Sequence, residues 1–269
     1  MKNKTLLKLI VLTLTSVLLS VSFSACANGN GGGKNANTQN EIFIVENNLI
    51  KEVTDYGKTL TELSVPSEIN GVEILGVGIS SFLGCNSLKT VTFAKTIKTI
   101  GQEAFRSCAT LEKVTFENNS NLNLIDHRAF FACKSLNEFN FGRSNALKTI
   151  GQEAFRYCTG LKSIEFSARI ESLGNNAFDG SGLEEIVIPP SVKKVGSSAF
   201  AACKSLVKVT FSKGIEELGA FAFYTCYNLT SINYLGTKAE WRNVLRGAEW
   251  RYQVPATDVI CIDGPASRT

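Results

Sequence analysis

The stretch that decides the fold is residues 147–166, LKTIGQEAFRYCTGLKSIEF. Its middle is a small residue and Phe155, followed three positions later by Cys158, and Leu161 then opens the pattern Leu-x-x-apolar-x-apolar. The arrangement recurs in phase, with a phenylalanine every 22–25 residues at Phe82, Phe105, Phe130, Phe155, Phe178, Phe200 and Phe223. Self-similarity at a fixed period indicates a stack of equivalent units, because one unit cannot bury its own apolar edge.

The Leu-x-x-apolar-x-apolar segment predicts a short strand. Its apolar residues alternate, so Val91 and Phe93 share an inward face while Thr90 and Thr92 point outward. The apolar triplets are Leu60/Leu63/Val65, Leu88/Val91/Phe93, Leu111/Val114/Phe116, Leu136/Phe139/Phe141, Leu161/Ile164/Phe166, Leu183/Ile186/Ile188, Leu206/Val209/Phe211 and Leu229/Ile232/Tyr234. Eight strands are therefore expected.

The second half of each unit carries another apolar pair, such as Ile97/Ile100, and then a glycine. The glycines are Gly78, Gly101, Gly151, Gly174, Gly196 and Gly219, with Asp126 as the exception. Because glycine adopts positive φ freely, we interpret this position as a tight bend. Ala104, Phe105 and Cys108 then have the spacing of one helical turn that faces inward.

These units predict an α/β repeat solenoid of about eight coils over residues 60–234, with the last coil incomplete. Parallel strands about 4.8 Å apart would make a stack of roughly 35–40 Å. The extra polar residues 117–121 and 142–146 are expected to bulge on its surface.

Both ends of the stack are expected to be capped. Residues 41–59 form an N-terminal cap, with two strands turning at Asn47 and Asn48. Residues 235–269 form a C-terminal cap that includes a capping box from Thr237 to Glu240 and a closing strand over 259–262. Trp241 and Trp250 are interpreted as lid residues over the last coil.

The N-terminal segment predicts export. Residues 1–25 combine lysines, a short apolar run and small residues, which is the pattern of a secretory signal. With Cys26 directly after it, the segment resembles a bacterial lipoprotein signal, which implies a lipidated Cys26 as the mature N-terminus and an envelope location. The alternative is an ordinary secretory signal in which Cys26 is incidental. Residues 26–40, rich in glycine and asparagine, predict a flexible tether.

Composition argues against several functional classes. The formal net charge is +4, and three lysines with no acid precede residue 26, so the remainder carries about +1. A nearly neutral domain lacks the electrostatic footprint of a nucleic-acid-binding protein. His127 is the single histidine, which argues against a multi-histidine metal site. No cofactor and no metal are expected.

The cysteines are interpreted as buried free thiols. Six occupy one equivalent position, which the small Ser181 fills in the remaining unit: Cys85, Cys108, Cys133, Cys158, Cys203 and Cys226. Setting Cys26 aside leaves seven cysteines, an odd number that excludes complete internal pairing. Disulfides between some neighbours remain the alternative.

The sequence offers little for catalysis, so no enzyme activity is expected. His127 aligns with Gln102 and Gln152 at a polar position of the unit. Gly180-Ser181-Gly182 is not a nucleophile elbow. The acid pairs Glu184/Glu185 and Glu216/Glu217 are interpreted as solvated residues.

The outward strand face is the candidate binding surface. Its residues are polar and of mixed charge: Thr90, Thr92, Lys113, Thr115, Glu138, Asn140, Ser163, Glu165, Glu185, Lys208 and Thr210. Rigid repeat surfaces commonly bind proteins. The face lacks an aromatic hot spot, so a simply solvated surface is an equal alternative.

The unit Leu-x-x-Val-x-Phe followed by Ile-x-x-Ile-Gly-x-x-Ala-Phe-x-x-Cys resembles the BspA-type (TpLRR) leucine-rich repeat of surface lipoproteins. The ending, Tyr-x-Gly-Thr-x-x-x-Trp through Val-x-Cys-x-Asp-Gly, resembles the usual tail of that family. The resemblance covers residues 42–264. It implies a right-handed, leucine-rich-repeat-like coil with a curved single sheet.

The resemblance also implies a bacterial surface location and a protein partner, such as a host matrix protein or another cell's surface protein. We therefore expect a protein-binding module, an adhesin in particular, that contacts the membrane through its lipid only and is a monomer. The alternative is a structural spacer or scaffold without a high-affinity partner.

Overall fold

The computed structural model describes residues 38–144 and 146–266. The predicted signal segment, Cys26 and most of the predicted tether lie outside these residues. Residues 38–40, at the end of the predicted tether, belong to a first short helix. No helix within the described ranges has the length and apolarity needed to cross a membrane.

The described chain is almost entirely strand and turn. The three helices have five residues each: α1 Thr38–Ile42, α2 Asp55–Thr59 and α3 Lys238–Arg242. The strands are, in chain order, β1 Phe43–Glu46, β2 Leu49–Val53, β3 Glu62–Val65, β4 Glu68–Ile69, β5 Val72–Glu73, β6 Gly76–Val77, β7 Thr90–Phe93, β8 Thr99–Ile100, β9 Lys113–Phe116, β10 Leu124–Ile125, β11 Glu138–Asn140, β12 Thr149–Ile150, β13 Ser172–Leu173, β14 Glu185–Ile188, β15 Lys194–Val195, β16 Lys208–Phe211, β17 Glu217–Leu218, β18 Ser231–Tyr234, β19 Leu245–Arg246, β20 Val259–Cys261 and β21 Gly264–Ala266.

The strands stack as parallel ladders, so the molecule is a β-solenoid of about nine turns. The longest sheet has the order β1-β2-β6-β8-β10-β12-β13-β15-β17-β19, and β1 alone joins it antiparallel. Its register is constant: Ile100, Ile125 and Ile150 align on neighbouring strands. The second apolar edge of each unit is therefore a sheet in its own right, and the expectation of a single sheet was wrong.

The predicted strands form the second side of each coil. They make a four-stranded sheet, β3-β7-β9-β11, and a five-stranded sheet, β14-β16-β18-β20-β21. Residues 161–166 of coil five, expected to be a strand, have no strand assignment, so this side divides in two. The break lies between the insertion at 142–146 and the shortened turn at 180–182.

The turn that carries the phenylalanine is not helical. Glu103 and Ser107, on either side of Phe105, have φ of 54° and 60°. These left-handed residues rotate the peptide groups, so that the N–H groups of Glu103, Phe105 and Ser107 donate to carbonyls of the next coil. Ala104, Phe105 and Cys108 do face inward, but the expected helical turn, and with it the α/β assignment, was wrong for these coils.

The glycine that recurs in six of the units is needed for a different reason from the one expected. None of the six repeat glycines has positive φ; the left-handed residue comes two positions later, as at Glu103. A Cβ added to Gly196 would lie 2.6 Å from Asn175 N and Gly174 C of the preceding coil. Glycine is needed because neighbouring backbones approach too closely there for a side chain.

The phenylalanines of the turns form one continuous stack. From Phe105 to Phe223, successive ring centroids are 5.1–5.4 Å apart and the rings are within 8° of parallel. Phe82 extends the stack at 4.4 Å and 23°. All seven rings are fully buried, which confirms the predicted ladder.

The repeat thiols lie beside this stack and are free and buried, as expected. Each of five donates a hydrogen bond to the carbonyl of the phenylalanine one coil earlier, for example Cys158 Sγ to Phe130 O at 3.1 Å and Cys133 Sγ to Phe105 O at 3.0 Å. The others are Cys108, Cys203 and Cys226. The thiol is thus a hydrogen-bond donor as well as a small core residue.

The two polar insertions are only partly on the surface. Ser120 and Ser144 are buried within them, and Ser144 Oγ donates to Leu122 O at 2.7 Å. The expectation that the insertions bulge outward holds for exposed neighbours such as Asn119 and Arg143, but not for these two serines.

The ends contain the predicted local features. Strands β1 and β2 turn at Asn47 and Asn48, both with positive φ, and Thr237 and Glu240 form the capping box of α3. The region beyond 234 is more than a cap, because α3 leads into β19, which pairs with β17 and completes the eighth coil. Trp241 packs on Phe211, and Trp250 packs edge-on against Phe223.

We predict that Phe155→Ala lowers the free energy of unfolding by about 3–5 kcal/mol, because it leaves a cavity between two stacked rings. Phe221→Ala, which removes a partly exposed ring from the turn three coils further along, serves as the control and should cost less than about 1 kcal/mol. Urea unfolding followed by circular dichroism measures both. Equal losses would mean that the stack does not carry this stability.

Candidate functional site

The predicted strand face is present as an exposed surface. Its register brings Thr90, Lys113 and Glu138 into one row, and Thr92, Thr115 and Asn140 into the next. Glu185 aligns with Lys208, while Thr210 aligns with Val187, whose side chain is 59% exposed. Ser163 and Glu165 are exposed in the segment of coil five that has no strand. The break in coil five therefore separates the eleven residues into two groups.

Charges on the strand face are largely paired with one another. Lys113 Nζ lies 2.8 Å from Glu138 Oε1, and Lys208 Nζ lies 3.5 Å from Glu185 Oε2. Solvent-exposed pairs of this kind contribute little stability. Because the charges pair with one another, the face has a weak net field, and a partner would find alternating charges with Val187 as an exposed apolar side chain among them.

A second surface lies along the phenylalanine turns, and we call it the turn face. Its ion pairs run across four coils: Arg128 lies 3.6 Å from Glu103 and 3.0 Å from Glu153, and Arg156 lies 3.3 Å from Glu153 and 2.8 Å from Asp179. The side chain of Glu153, between two arginines, is only 7% exposed. The turn face is therefore a rigid, charge-paired strip in this region.

Burial and neighbouring arginines shift the pKa values of the turn-face acids Glu153 and Asp179 in opposite directions. Burial raises the pKa of Glu153, but the hydrogen bonds from Arg128, Gln152 and Arg156 prevail and hold that pKa below its ordinary value. For Asp179 burial prevails over Arg156, and the pKa is raised. Ionised Glu153 thus stabilises the fold, whereas ionisation of Asp179 opposes it.

Aromatic side chains cover the same face. The guanidinium carbons of Arg106 and Arg128 lie 5.6 and 5.8 Å from the centre of the Phe131 ring, and that of Arg156 lies 4.7 Å from the Tyr157 ring. These cation–π contacts fix the arginine side chains against the surface.

The C-terminal coils carry an exposed aromatic cluster, which we define as Phe221, Tyr224, Tyr227 and Tyr252. Tyr224 stacks on Tyr252 at 5.7 Å and 11°, and Phe221 meets Tyr224 edge-on at 5.6 Å. Tyr227 Oη lies 3.4 Å from Oε1 of Gln253, next to Tyr252. Tyr227 and Tyr252 are 53% and 48% exposed. Exposed aromatic groups held on a rigid backbone are typical of interface hot spots.

Sequence reasoning missed the turn face, although a signal was available. The residues two before and one after each stacked phenylalanine are joined by a backbone hydrogen bond and lie side by side, as Phe221 and Tyr224 do. Aligning these positions by coil would have placed Glu103, Arg128 and Glu153 in one row. The expected helical turn concealed that alignment.

Side chains with catalytic chemistry are engaged elsewhere in the fold. Burial raises the pKa of the Cys133 thiol, and raises that of Cys158 to about 12, so neither is a thiolate at neutral pH. Ser181 Oγ contacts Cys203 Sγ at 3.3 Å inside the core. His127 is partly exposed, and its backbone N–H donates to Asp126 at 2.7 Å.

The acid pairs are engaged as well, each with lysines of a neighbouring coil. Glu184 pairs with Lys162 and Glu185 with Lys208. The second acid pair is bound in the same way by Lys193 and Lys194. Among the described residues, no three of the His, Cys, Asp and Glu side chains come together as metal ligands would.

Comparison with known proteins gives a consistent result. A family model described as a BspA type leucine rich repeat region matches in six copies, over residues 48–146 and 140–243. The leucine rich repeat protein of T. pallidum is 27% identical, with a TM-score of 0.52, over 77% of this chain and 82% of that one. A leucine rich cell surface protein of Faecalibacterium prausnitzii A2-165 shares the fold at 18% identity and a TM-score of 0.50, over 82% and 74% of the two chains. No curated protein matches.

We predict that Glu153→Gln lowers the free energy of unfolding by about 1–3 kcal/mol near neutral pH, because two arginines lose their shared carboxylate. The pKa of Glu153 is lowered in the fold, so its contribution is present above the ordinary glutamate pKa and is lost as the pH falls through the folded value. The difference from wild type should therefore shrink in acid.

Asp179→Asn is the matched control for this prediction. The folded pKa of Asp179 is raised, so the stability of the variant relative to wild type should improve, not worsen, as the pH rises above the ordinary aspartate range. Urea unfolding at several pH values measures both variants. Parallel pH profiles for the two would contradict the opposite roles assigned here.

Proposed function

Because this chain belongs to the BspA type leucine rich repeat family, we propose that it is a protein-binding module anchored at the bacterial cell envelope, an adhesin for a host matrix protein or for another cell's surface protein. The aromatic cluster of Phe221, Tyr224, Tyr227 and Tyr252 carries this proposal. Phe221, Tyr227 and Tyr252 are exposed and Tyr224 is half-buried. Phe221, Tyr224 and Tyr252 are fixed by contacts with one another, so a partner can cover them at little cost in conformational entropy.

The solenoid supports such a role through its rigidity. Backbone hydrogen bonds connect each coil to the next on the strand sides and at the turn, where the N–H of Phe200 donates to Ala222 O at 2.8 Å. Side chains on neighbouring coils therefore keep fixed spacings, which suits recognition of a folded partner. The strand face remains a second candidate surface.

Envelope anchoring is supported by the N-terminal sequence. A basic start, a short apolar run and Cys26 agree with lipid attachment, and residues 27–37 would hold the domain away from the membrane. The Faecalibacterium neighbour is itself described as a cell surface protein. A spacer or scaffold without a high-affinity partner is the competing function, favoured by the self-paired charges of the strand face.

Binding is tested with the full chain carrying Cys26→Ser, so that lipid does not cause adhesion. We expect it to bind at least one immobilised matrix protein or whole-cell preparation in surface plasmon resonance. Tyr227→Ala with Tyr252→Ala should weaken that binding at least tenfold, since exposed aromatic anchors dominate interface energetics.

The matched variant reverses charges on the strand face, with Lys113→Glu and Lys208→Glu, and should leave affinity within about threefold. Loss of binding in that variant alone would assign the site to the strand face. Absence of binding to any protein or cell would favour the spacer function.

Lipid attachment is tested separately by metabolic labelling with palmitate in a bacterial host. The wild-type chain should be labelled, and Cys26→Ser should abolish the label because the acylated atom is gone. Cys261→Ser, which removes a buried thiol at the other end of the chain, is the control and should retain the label. Unchanged labelling of Cys26→Ser would exclude Cys26 as the anchor.

A further inference from the structure

The C-terminal end of the solenoid contains a cavity of about 320 Å³ that neither the family nor the proposed protein contact explains. It lies where α3, β19, the last turn and β21 meet. Its charged and aromatic lining is Lys238, Trp241, Arg242, Arg246, Trp250 and Arg251, completed by the apolar Pro265 and Ala266. Among residues 38–144 and 146–266, no acidic side chain lines it.

The charge of this lining differs from that of the remaining surface. Elsewhere most lysines and arginines sit beside a carboxylate of the next coil, as Lys194 does with Glu217 at 2.9 Å. Across residues 38–144 and 146–266, Lys238, Arg242 and Arg246 have no carboxylate within 4.0 Å. Two acids close to the lining in sequence are engaged in other contacts: Glu240 binds Lys213 and Thr237, and Asp263 accepts from the backbone N–H of Lys238.

The cations are held in position by the two tryptophans. The guanidinium of Arg246 lies 5.6 Å from the centre of the Trp241 ring and donates to Trp241 O at 2.9 Å. Arg251 lies 5.2 Å from the centre of the Trp250 ring. Stacked on an indole, the guanidinium of Arg246 presents its N–H groups in a fixed fork, which matches an oxyanion.

The hydrogen-bonding side chains of the lining are all donors: lysine, arginine and the indole N–H have no acceptor atom. A complementary ligand must therefore supply negative charge and acceptor oxygens without requiring acceptors in return. Sulfate, phosphate and carboxylate substituents on a sugar chain meet this condition. An acidic peptide meets it less well, because its backbone N–H groups would face a lining of donors.

We propose that this cavity binds an anionic polysaccharide, with one or more of its oxyanion substituents held by Lys238, Arg242 and Arg246. The site is distinct from the aromatic cluster, and its ligand class is distinct from the proposed protein partner, so either can fail without the other. A nearly neutral domain with one local cationic cavity predicts binding at a single site and not along the whole surface.

Tryptophan fluorescence measures binding at this cavity directly, because Trp241 and Trp250 line it and are the two tryptophans of the sequence. The experiment titrates the full chain carrying Cys26→Ser with a heparin oligosaccharide and follows tryptophan fluorescence. A saturable change is expected. Arg242→Gln with Arg246→Gln should raise the dissociation constant about tenfold or more, since two charge-assisted contacts are lost.

The matched control removes two other exposed cations, Lys95→Gln with Lys98→Gln on the second coil, and should change the dissociation constant less than twofold. Arg242→Gln alone, which leaves the Arg246–Trp241 contact in place, covers the case in which the double variant does not fold, and circular dichroism monitors folding. An equal loss in the control would show non-specific charge attraction and overturn the proposal.

Titrations with three other compounds define the class of ligand. Uncharged dextran should give no fluorescence change, and sodium sulfate should give at most a weak one, since it offers a single oxyanion. Poly-glutamate should bind less tightly than the heparin oligosaccharide. Equal or tighter binding of poly-glutamate, or no fluorescence change with heparin, would overturn the assignment to an anionic polysaccharide.

Discussion

Close and repetitive contact between one coil and the next is the constraint on which the rest of the structure depends. Backbone hydrogen bonds connect neighbouring coils on the strand sides and at the turn. The resulting distance between coils is so short that a Cβ added to Gly196 would lie 2.6 Å from the backbone of the preceding coil. The same spacing fixes the separation of the phenylalanine rings at a distance suitable for stacking. The residue type that fits at an interior position of a coil is therefore set mainly by the residues at the equivalent positions of the two neighbouring coils.

This constraint explains which features could be predicted from sequence. The strands, the phenylalanine stack and the buried thiols follow from spacing, because each involves equivalent positions in successive units. The long sheet was harder to predict: from β6 onward its strands have two residues each, too few to display alternation. The shape of the turn was inaccessible for another reason. Ser107 and Ala132 adopt left-handed backbone only because their N–H groups bond the next coil, and isolated propensities disfavour that conformation.

The surfaces show the same division between local pattern and packing. The alternation of apolar and polar residues was enough to predict the strand face. The charges on that face are paired across coils, so its electrostatic field is weaker than the number of charged residues suggests. The turn face and the C-terminal cavity depend on contacts that strand alternation does not predict, such as Tyr224 with Tyr252 and Trp241 with Trp250. The proposed recognition features are concentrated in the last two coils, whereas many charges of the earlier coils are paired with one another.

The uniform junction between coils also determines how such a protein can change length. A whole coil inserted into or removed from the interior of the stack would find the same donors, acceptors and ring faces above and below, so only its two junctions need to be compatible. Length can thus vary in steps of about 4.8 Å while the specialised final coils stay intact. The length of the solenoid and the side chains of its final coils can therefore change independently during evolution.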